Sequence, residues 1–367
     1  MTTTKNNEHK KLNVPNLRFK EFQGEWNSFL INDVCSEFKS GKNIKADSIS
    51  ESGEYPVYGG NGLRGYTASY NHEGLYVLIG RQGALCGNVR SVYGKTYITE
   101  HAIAVAGNEK SNTNFLHYLF LKMNLGQYSD QSAQPGLAVN KLLKLKVALP
   151  IISEQTKIAK LLSLLDERIA TQNKIIEDLK MLKSAISKKL LRNDKWTTYK
   201  IQDIAEIGRG RVISSIEIER QRHPLYPVYS SQTSNNGIMG YLDDYMFDGE
   251  YITWTTDGAN AGTVFYRKGK FNCTNVCGTL KIQPNFDCYF VSLVLQQATQ
   301  KYVSSNLANP KLMNNTMASI KIRMPNIEVQ KQLSKVFLTL DSCLLVHQQT
   351  CKMYTSEKQY LLHQMFI

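Results

Sequence analysis

The sequence predicts an α+β protein made of two pseudo-repeated mixed α/β domains and two long helices that form a coiled coil. Three observations support this fold. The second half of the chain repeats the first at a constant shift, each half begins with strand-like runs between turn residues, and each half ends with a heptad pattern of apolar residues. The 367 residues are enough for two or three domains with their own cores.

The internal repeat is clearest in two glycine-containing stretches, GRQGALCGNV at 80–89 and TTDGANAGTV at 255–264. The motif YPVY also occurs twice, at 55–58 and 226–229. Two copies are too few for a solenoid, and they suit a fused pseudo-dimer on one chain. Shared glycines predict a shared backbone conformation, whereas the polar residues that differ predict that each copy contacts something different. At a shift of 175 residues, the aligned glycines are Gly83 with Gly258 and Gly87 with Gly262.

The first part of each half is predicted to be a small mixed α/β domain. Strand-like runs such as LYVLIG and EYITWTT alternate with turn signals. A short apolar helix is expected near Phe115–Met123, with its equivalent near Phe290–Thr299. The predicted segments are a loose tail at 1–14, a first domain at 15–150, a helix at 151–192, a second domain at 193–325 and a helix at 326–367.

Each long helix has an apolar seam in which residues recur four and three apart. Polar residues interrupt both seams at matching places, for example at Lys183 and Lys358. Matched seams favour a coiled coil between the two helices, and the alternative is two amphipathic helices that each pack on their own domain. The ~33 residues from Ile158 to Leu190 would span roughly 50 Å. The leading seam positions are Ile158, Leu162, Leu165 and Ile169, matched by Leu333, Phe337, Leu340 and Leu344.

The charge balance points to a polyanionic partner. The formal net charge is +13, which favours nucleic acid or an anionic membrane surface, although the protein could simply be basic. No apolar run reaches the length of a membrane span, and the polar N-terminus lacks the features of a signal peptide. The seven cysteines include no close CxxC pair, so free thiols in a reducing, cytoplasmic environment are expected.

Catalytic and metal-binding motifs are incomplete. Gly94-Lys95-Thr96 resembles the end of a P-loop, but Val89 stands where the upstream glycine belongs. Glu37-Phe38-Lys39 has the ExK spacing of metal-dependent nucleases, without the usual partner carboxylate motif. The histidines His101, His117 and His223 have no ligand partners at suitable spacing, so no metal site is expected. The sequence therefore predicts a binding protein and no catalysis.

The order domain, helix, domain, helix resembles the specificity subunit of type I restriction–modification systems. The resemblance includes the opening LRFKEFQGEW at 17–26 and the pattern PxxxEQxKIxxxLxxLDxxI after the first domain. The second copy keeps much of this pattern but has Val329 in place of the glutamate. The first copy consists of Pro150, Glu154, Gln155, Lys157, Ile158, Leu162, Leu165, Asp166 and Ile169, and the second keeps Pro325, Gln330, Leu333, Leu340 and Asp341.

This resemblance implies that each domain is a target recognition domain that reads one half of a bipartite sequence in double-stranded DNA. It also implies that the helices pack antiparallel as a spacer and bind two methyltransferase (modification) subunits, which restriction/translocase subunits join. The chain itself would hold no cofactor, because S-adenosylmethionine, ATP and Mg²⁺ would be bound by the partner subunits. A spacer of roughly 50 Å is longer than one DNA turn of about 35 Å, which suits separated half-sites.

A competing interpretation is a coiled-coil adaptor whose repeated domains bind protein or glycan, and salt-sensitive duplex binding would distinguish the two.

On the recognition hypothesis, polar residues in the loops between matched strands contact DNA, and the glycines supply turn geometry. For each residue the alternative is a solvated loop residue or a turn-former. The base-contact candidates are Asn61, Arg64, Arg81, Gln82, Asn88 and Gln134 in the first domain and Gln232, Asn235, Thr256, Asp257 and Asn260 in the second. The phosphate-contact candidates are Lys42, Lys45, Arg209, Arg211 and Lys311.

Overall fold

The computed structural model of the protein describes residues 13–130, 135–191, 194–304 and 309–367, so most of the predicted tail at 1–14 lies outside the described residues. Contacts between residues divide the chain into two compact units. Unit 1 combines Met1–Asn173 with Gln348–Ile367, and unit 2 is Lys174–His347. Each unit therefore contains the beginning of one long helix and the end of the other.

Unit 1 is built around a six-stranded sheet with the order β2-β7-β5-β6-β3-β4, beside a two-stranded β1-β8 pair. Strands β3 and β6 are parallel, and the other neighbours are antiparallel. The strands are β1 (Asn27–Leu30), β2 (Cys35–Ser40), β3 (Tyr55–Gly59), β4 (Gly62–Thr67), β5 (His72–Gly80), β6 (Val89–Ile98), β7 (Ala102–Gly107) and β8 (Lys146–Leu149). The short helices are α1 (Ile31–Val34), α2 (Thr113–Met123) and α3 (Val139–Leu142), and the first long helix, α4, covers Ile152–Leu190.

Unit 2 has a four-stranded sheet of order β10-β16-β13-β14, a three-stranded sheet of order β12-β11-β15 and a β17-β9 pair. Its strands are β9 (Thr197–Lys200), β10 (Ala205–Arg209), β11 (Tyr226–Tyr229), β12 (Ile238–Leu242), β13 (Glu250–Thr255), β14 (Val264–Lys268), β15 (Asn272–Cys273), β16 (Cys277–Ile282) and β17 (Lys321–Met324). Its helices are α5 (Ile201–Ile204), α6 (Ser215–Glu219), α7 (Cys288–Ala298) and α8 (Asn314–Ser319), followed by the second long helix, α9 (Ile327–Gln364). The predicted short helices near Phe115–Met123 and Phe290–Thr299 correspond to α2 and α7.

The core of each unit includes a residue that lies just after the end of a long helix. In unit 1, the Phe366 ring stacks on Phe115 with ring centroids 5.0 Å apart, and both rings contact Trp26 edge-on. In unit 2, Leu191 is buried in the core that also holds Trp254. Leu191 and Phe366 are separated by the same 175 residues as the glycines, so the repeat extends to the ends of the helices.

The leading seam residues are shared between the domain core and the helix pair. Ile158 and Leu162 are buried in the core of unit 1, and Phe337 is buried in the core of unit 2. This placement matches the alternative in which each helix packs on its own domain. The two long helices also pair with each other within each unit. Packing on the domain and pairing between the helices therefore both occur, along successive parts of the same helices.

Within unit 1, α4 and α9 run antiparallel. Lys358 binds Asp166 at 2.5 Å, and the Cys351 thiol lies 3.4 Å from the Asn173 amide oxygen. Within unit 2, Lys183 pairs with Asp341. The lysines that interrupt the predicted seams are therefore the partners of these aspartates, one pair in each unit. None of the helices in the described parts of the chain is long and apolar enough to cross a membrane.

The glutamine of the EQ pattern connects each long helix to its domain. The Gln155 amide donates to Pro150 O at 2.8 Å and accepts from the backbone of Asn112, the N-cap of α2. Gln330 makes the equivalent contacts with Pro325 and Asp287, the N-cap of α7. Since these glutamines are 0% and 1% exposed and hydrogen-bonded, both copies need this side chain.

The departure at Val329 has a structural reason. In unit 1, Glu154 is fully buried and makes a bidentate ion pair with Arg18 at 2.7 and 2.8 Å. Arg18 belongs to the LRFKEFQGEW segment, which the second copy keeps only in part. A buried carboxylate without its cation is costly, so valine suits unit 2.

We expect acid to destabilise unit 1 because the buried side chain of His117 must take up a proton. Burial lowers the pKa of His117 to about 4, with Lys358 nearby opposing protonation and Asp166 favouring it. Because the unfolded histidine titrates near 6.5, this stability is present above pH 6.5 and is lost progressively as the pH falls from 6.5 towards 4, by at most about 3 kcal/mol. We expect His117→Gln to reduce the loss of urea resistance between pH 7 and pH 5. Ser292 occupies the equivalent place in unit 2, so this source of acid sensitivity belongs to unit 1 alone. Equal acid sensitivity of the wild type and His117→Gln would contradict this role of His117.

Candidate nucleic-acid interface

The two glycine-containing loops have the same backbone hydrogen bonds at a constant shift of 175 residues. In unit 1, Gly83 N donates to Pro135 O at 3.0 Å and Gly87 N donates to Gly80 O at 2.7 Å. In unit 2, the corresponding bonds are Gly258 N to Pro310 O at 3.0 Å and Gly262 N to Thr255 O at 2.8 Å. The isolated bridges Gln82↔Gly136 and Asp257↔Lys311 also correspond. The predicted shared backbone is therefore present, and it presents Gln82 in one unit and Asp257 in the other.

These loops require glycine because their backbone is left-handed at four positions. Gly83 and Gly87 have φ of +80° and +84°, and Gly258 and Gly262 have φ of +95° and +81°. Such left-handed φ values are unfavourable for residues with a side chain. The prediction that these glycines supply turn geometry agrees with the structure.

In unit 1, three predicted base contacts line one cavity of about 240 Å³. Asn61 and Arg64 come from the β3–β4 hairpin, and Gln82 follows the end of β5. His101 completes the polar lining, and its Nδ1 lies 3.2 Å from Gln82 Oε1. The other lining residues are Gly59 and Gly60. The cavity therefore combines residues that are distant in sequence into one polar surface.

The predicted DNA-contacting cations of unit 1 are not neutralised by carboxylates of the described residues. Within the described parts of the chain, Lys42, Lys45, Arg64 and Arg81 form no ion pair. Arg81 is half-buried, while Lys42, Lys45 and Arg64 are exposed, as is the base-contact candidate Asn88. These groups remain available to an anionic or hydrogen-bonding ligand.

In unit 2, the predicted phosphate contacts bind carboxylates of the same unit. Arg209 donates to Asp257 Oδ2 at 3.2 Å, and Lys311 lies 3.6 Å from Asp257 Oδ1. Arg211 forms a bidentate pair with Glu217, which raises the pKa of the arginine and lowers the pKa of the glutamate. A phosphate would have to compete with these carboxylates, so the phosphate role of these cations stays a prediction.

The structure gives Thr256 a different role from the predicted base contact. Thr256 is 0% exposed, and its hydroxyl donates to Asp257 at 2.6 Å while accepting from Arg209 at 3.0 Å. A side chain buried in this way cannot reach a base edge without opening the loop. Thr256 instead positions the carboxylate of Asp257, which remains partly exposed.

The other base-contact candidates of unit 2 support the loop at 230–238. Gln232 donates to Ile238 O, and Asn260 donates to Ser231 O at 3.3 Å. Asn235 adopts a left-handed conformation with φ of +47°. These side chains shape the turn, and base contact by them stays a prediction. Gln134 lies outside the described residues.

Sequence reasoning missed His101 and Arg267. In the sequence His101 is an isolated histidine, and only the fold brings it beside Gln82. Arg267 is 3% exposed and stacks on Tyr229 and Phe265, 3.5 and 4.4 Å from the ring centroids, and burial lowers its pKa to about 10. In the aligned register, Val92 takes this position in unit 1, a difference that could have signalled Arg267.

No group of three or more potential metal ligands occurs among the described residues, and all seven cysteines are free thiols. The candidate interface consists of hydrogen-bonding and charged side chains on and around the two equivalent glycine-containing loops.

Comparisons with known proteins agree on one family. A family model described as the type I restriction modification DNA specificity domain matches residues 23–181 and 193–352. A Mycoplasma pneumoniae protein assigned as the N-terminus of a type I specificity subunit is 46% identical over 144 residues, which are 39% of this chain and 76% of the relative. The EcoprrI specificity subunit of Escherichia coli is 43% identical over 154 residues, or 41% of this chain and 38% of the relative.

The fold is also similar to a solved structure. The crystal structure of a type I restriction–modification S subunit from M. genitalium has a TM-score of 0.79 with 18% sequence identity, and the match covers 96% of this chain and 99% of that one. At this identity the similarity establishes the fold.

Proposed function

The chain belongs to the family of type I restriction modification DNA specificity domains, and from this premise we propose that it recognises a bipartite DNA sequence. Each unit reads one half-site. The chain then directs adenine methyltransferase subunits and restriction subunits to the complete sequence. Recognition of specific DNA sequences is the activity of this family, and the bipartite target and the assembly are the proposed refinement.

One observation supports the bipartite target above the others. The same loop backbone occurs once in each unit, with matching hydrogen bonds and left-handed glycines, but its polar side chains differ in chemistry. Unit 1 presents Arg64 and Arg81, which have no carboxylate partner among the described residues, together with Gln82, and unit 2 presents Asp257 paired with two cations. Donor-rich and acceptor-only side chains pair with different base edges in the major groove. Two such loops suit two different half-sites.

The net charge of +13 supports the binding of a phosphate backbone. We assign Lys42 and Lys45 to phosphate contacts, because they are exposed and have no carboxylate partner among the described residues. Such contacts set affinity and register without reading sequence.

We propose that the chain itself is not catalytic, as befits relatives named specificity subunits. S-adenosylmethionine, ATP and Mg²⁺ would be bound by the partner subunits. The outer faces of the long helices would contact the methyltransferase subunits, because they expose large apolar side chains that a partner could cover. Examples are Leu164, Met181, Leu182, Leu345, Val346 and Met353.

The test is a map of N6-methyladenine across a bacterial genome by long-read sequencing. Cells that express the partner methyltransferase with this chain are compared with cells that express the methyltransferase alone. We expect a split motif, two short blocks around a fixed gap, only when this chain is present. A methyltransferase that binds this chain and still produces no motif would contradict the proposal and would favour an adaptor.

A further inference from the structure

We propose that the cavity of unit 1 reads a guanine through Arg64. This inference rests on the proposed function and names the base that one loop recognises. The cavity lies where the tip of the β3–β4 hairpin meets the segment after β5 and the segment before β7. Backbone hydrogen bonds hold these segments together, from Thr99 N to Tyr58 O and from Arg81 N to His101 O, both at 2.9 Å. The lining therefore has a defined shape in the absence of a ligand.

Glycines make room for the Arg64 side chain. A Cβ at Gly59 would lie 2.9 Å from Arg64 Cδ, and a Cβ at Gly60 would lie 2.8 Å from His101 O. Any larger residue at Gly59 would displace Arg64, and one at Gly60 would push the hairpin away from the β7 segment. The aliphatic stem of Arg64 thus packs against Gly59, and the arginine is one of the residues that line the cavity.

The guanidinium of Arg64 keeps its donors for a ligand. Four other arginines bind carboxylates, namely Arg18, Arg209, Arg211 and Arg323. In the described parts of the chain, Arg64 has no such partner. An exposed arginine on a polar cavity without a carboxylate has a free planar fork, which suits a bidentate acceptor.

The rest of the lining also favours a base edge. Gln82 is oriented by its contact with His101, and amides of this kind bind base edges. The Thr99 hydroxyl is fully buried without a hydrogen-bond partner among the described residues, and it lies 3.4 Å from the position of a Gly59 Cβ. Thr99 therefore lies beside Gly59 of the lining, and a hydroxyl buried in this way is not available to a base edge.

Guanine is the base that matches these groups. It presents two acceptors, O6 and N7, to the major groove, and arginine binds both. Adenine presents its N6 amino donor there, and a guanidinium has no acceptor for it. The equivalent place in unit 2 has Met239 instead of Arg64 and Asp257 instead of Gln82, so the inference applies to unit 1 alone.

The first experiment compares methylation motifs for wild type, Arg64→Ala and Lys95→Ala, each with the partner methyltransferase. Lys95 is an exposed cation of the same unit outside the cavity, so it provides a matched control. We expect Arg64→Ala to relax one guanine position in one half-site, with discrimination there falling about 10- to 100-fold. Arg64→Lys, which keeps the charge but loses the fork, should relax the same position, and Lys95→Ala should keep the wild-type motif.

The second experiment uses the purified complex and a duplex that carries the wild-type motif with 7-deazaguanine at that position. Loss of N7 should weaken binding roughly 5-fold or more for wild type and leave Arg64→Ala unaffected. An unchanged motif in Arg64→Ala, or relaxation at a base other than guanine, would overturn the guanine inference and leave the proposed function intact. If wild type itself produced no motif, the proposed function would fail as well.

Discussion

Gly87→Ala is expected to destabilise unit 1 by about 3 kcal/mol or more, whereas Gly83→Ala costs about 1–2 kcal/mol. Both glycines have a left-handed φ near +80°, so both substitutions include that conformational cost. The difference lies in the surroundings. A Cβ at Gly87 would lie 2.1 Å from Gly126 N, a backbone atom in the turn after α2, whereas a Cβ at Gly83 has no heavy atom within 4 Å.

Urea unfolding of the wild type, Gly87→Ala and Gly83→Ala tests this prediction, with Gly83→Ala as the matched control. Gly262→Ala in unit 2 should be intermediate, because its Cβ would meet the Val303 side chain at 2.7 Å and that side chain can rotate. The order of the costs is therefore Gly87, Gly262, Gly83. Equal losses at Gly83 and Gly87 would show that the loop moves away from the turn without cost.

Asp166→Ala and Asp341→Ala are each expected to lower the free energy of unfolding by about 2 kcal/mol. Each aspartate accepts hydrogen bonds from a lysine of the other long helix and from a tyrosine of the domain. Tyr118 donates to Asp166 at 2.8 Å, and Tyr289 donates to Asp341 at 2.5 Å. Removing the carboxylate leaves both donors without this partner, which costs more than the loss of an exposed pair.

The expected loss of about 2 kcal/mol follows from the partial exposure of the lysine–aspartate pair. The side chains of Lys358 and Asp166 are 19% and 38% exposed, between the surface and the buried extremes. Glu167→Ala removes the adjacent, exposed carboxylate and should change stability by less than about 0.5 kcal/mol. Thermal unfolding of Asp166→Ala and Glu167→Ala tests this prediction. If Asp166→Ala destabilised the protein as little as Glu167→Ala, the ion pair would not stabilise the helices. Combining Asp166→Ala with Lys358→Met should recover part of the loss by removing the unpaired charge.

Much of the fold could be predicted because its signals are local or periodic. Seam residues recur every three or four positions, and Gly83 and Gly87 recur as Gly258 and Gly262. The seam could not reveal that Ile158 and Phe337 are buried in domain cores, because an apolar residue on a helix is compatible with either partner. The heptad pattern shows the lysines at the polar breaks, but their aspartate partners lie 158 and 192 residues away in the sequence, so the pattern does not reveal the ion pairs.

The candidate site was predicted less completely, for a similar reason. The sequence indicates Arg64 and Gln82 only as separate loop residues, and it carries no sign that His101 lies beside them. Thr256 looked like an exposed polar residue in a glycine loop, yet strand pairing on both sides of that loop buries it. Burial depends on what covers a residue, and the covering segments come from distant parts of the chain.

The sequence by itself determined the repeat, the positions of the left-handed turns, the paired long helices and the excess of positive charge. These features follow from residue type and spacing, since glycine, heptads and charge act through local geometry or composition. Only the tertiary structure decided which cations are free to meet DNA. Arg209 is neutralised by Asp257, 48 residues later, while Arg64 remains without a carboxylate among the described residues. Ion pairing depends on distances of a few ångströms between remote segments, and folding alone sets those distances.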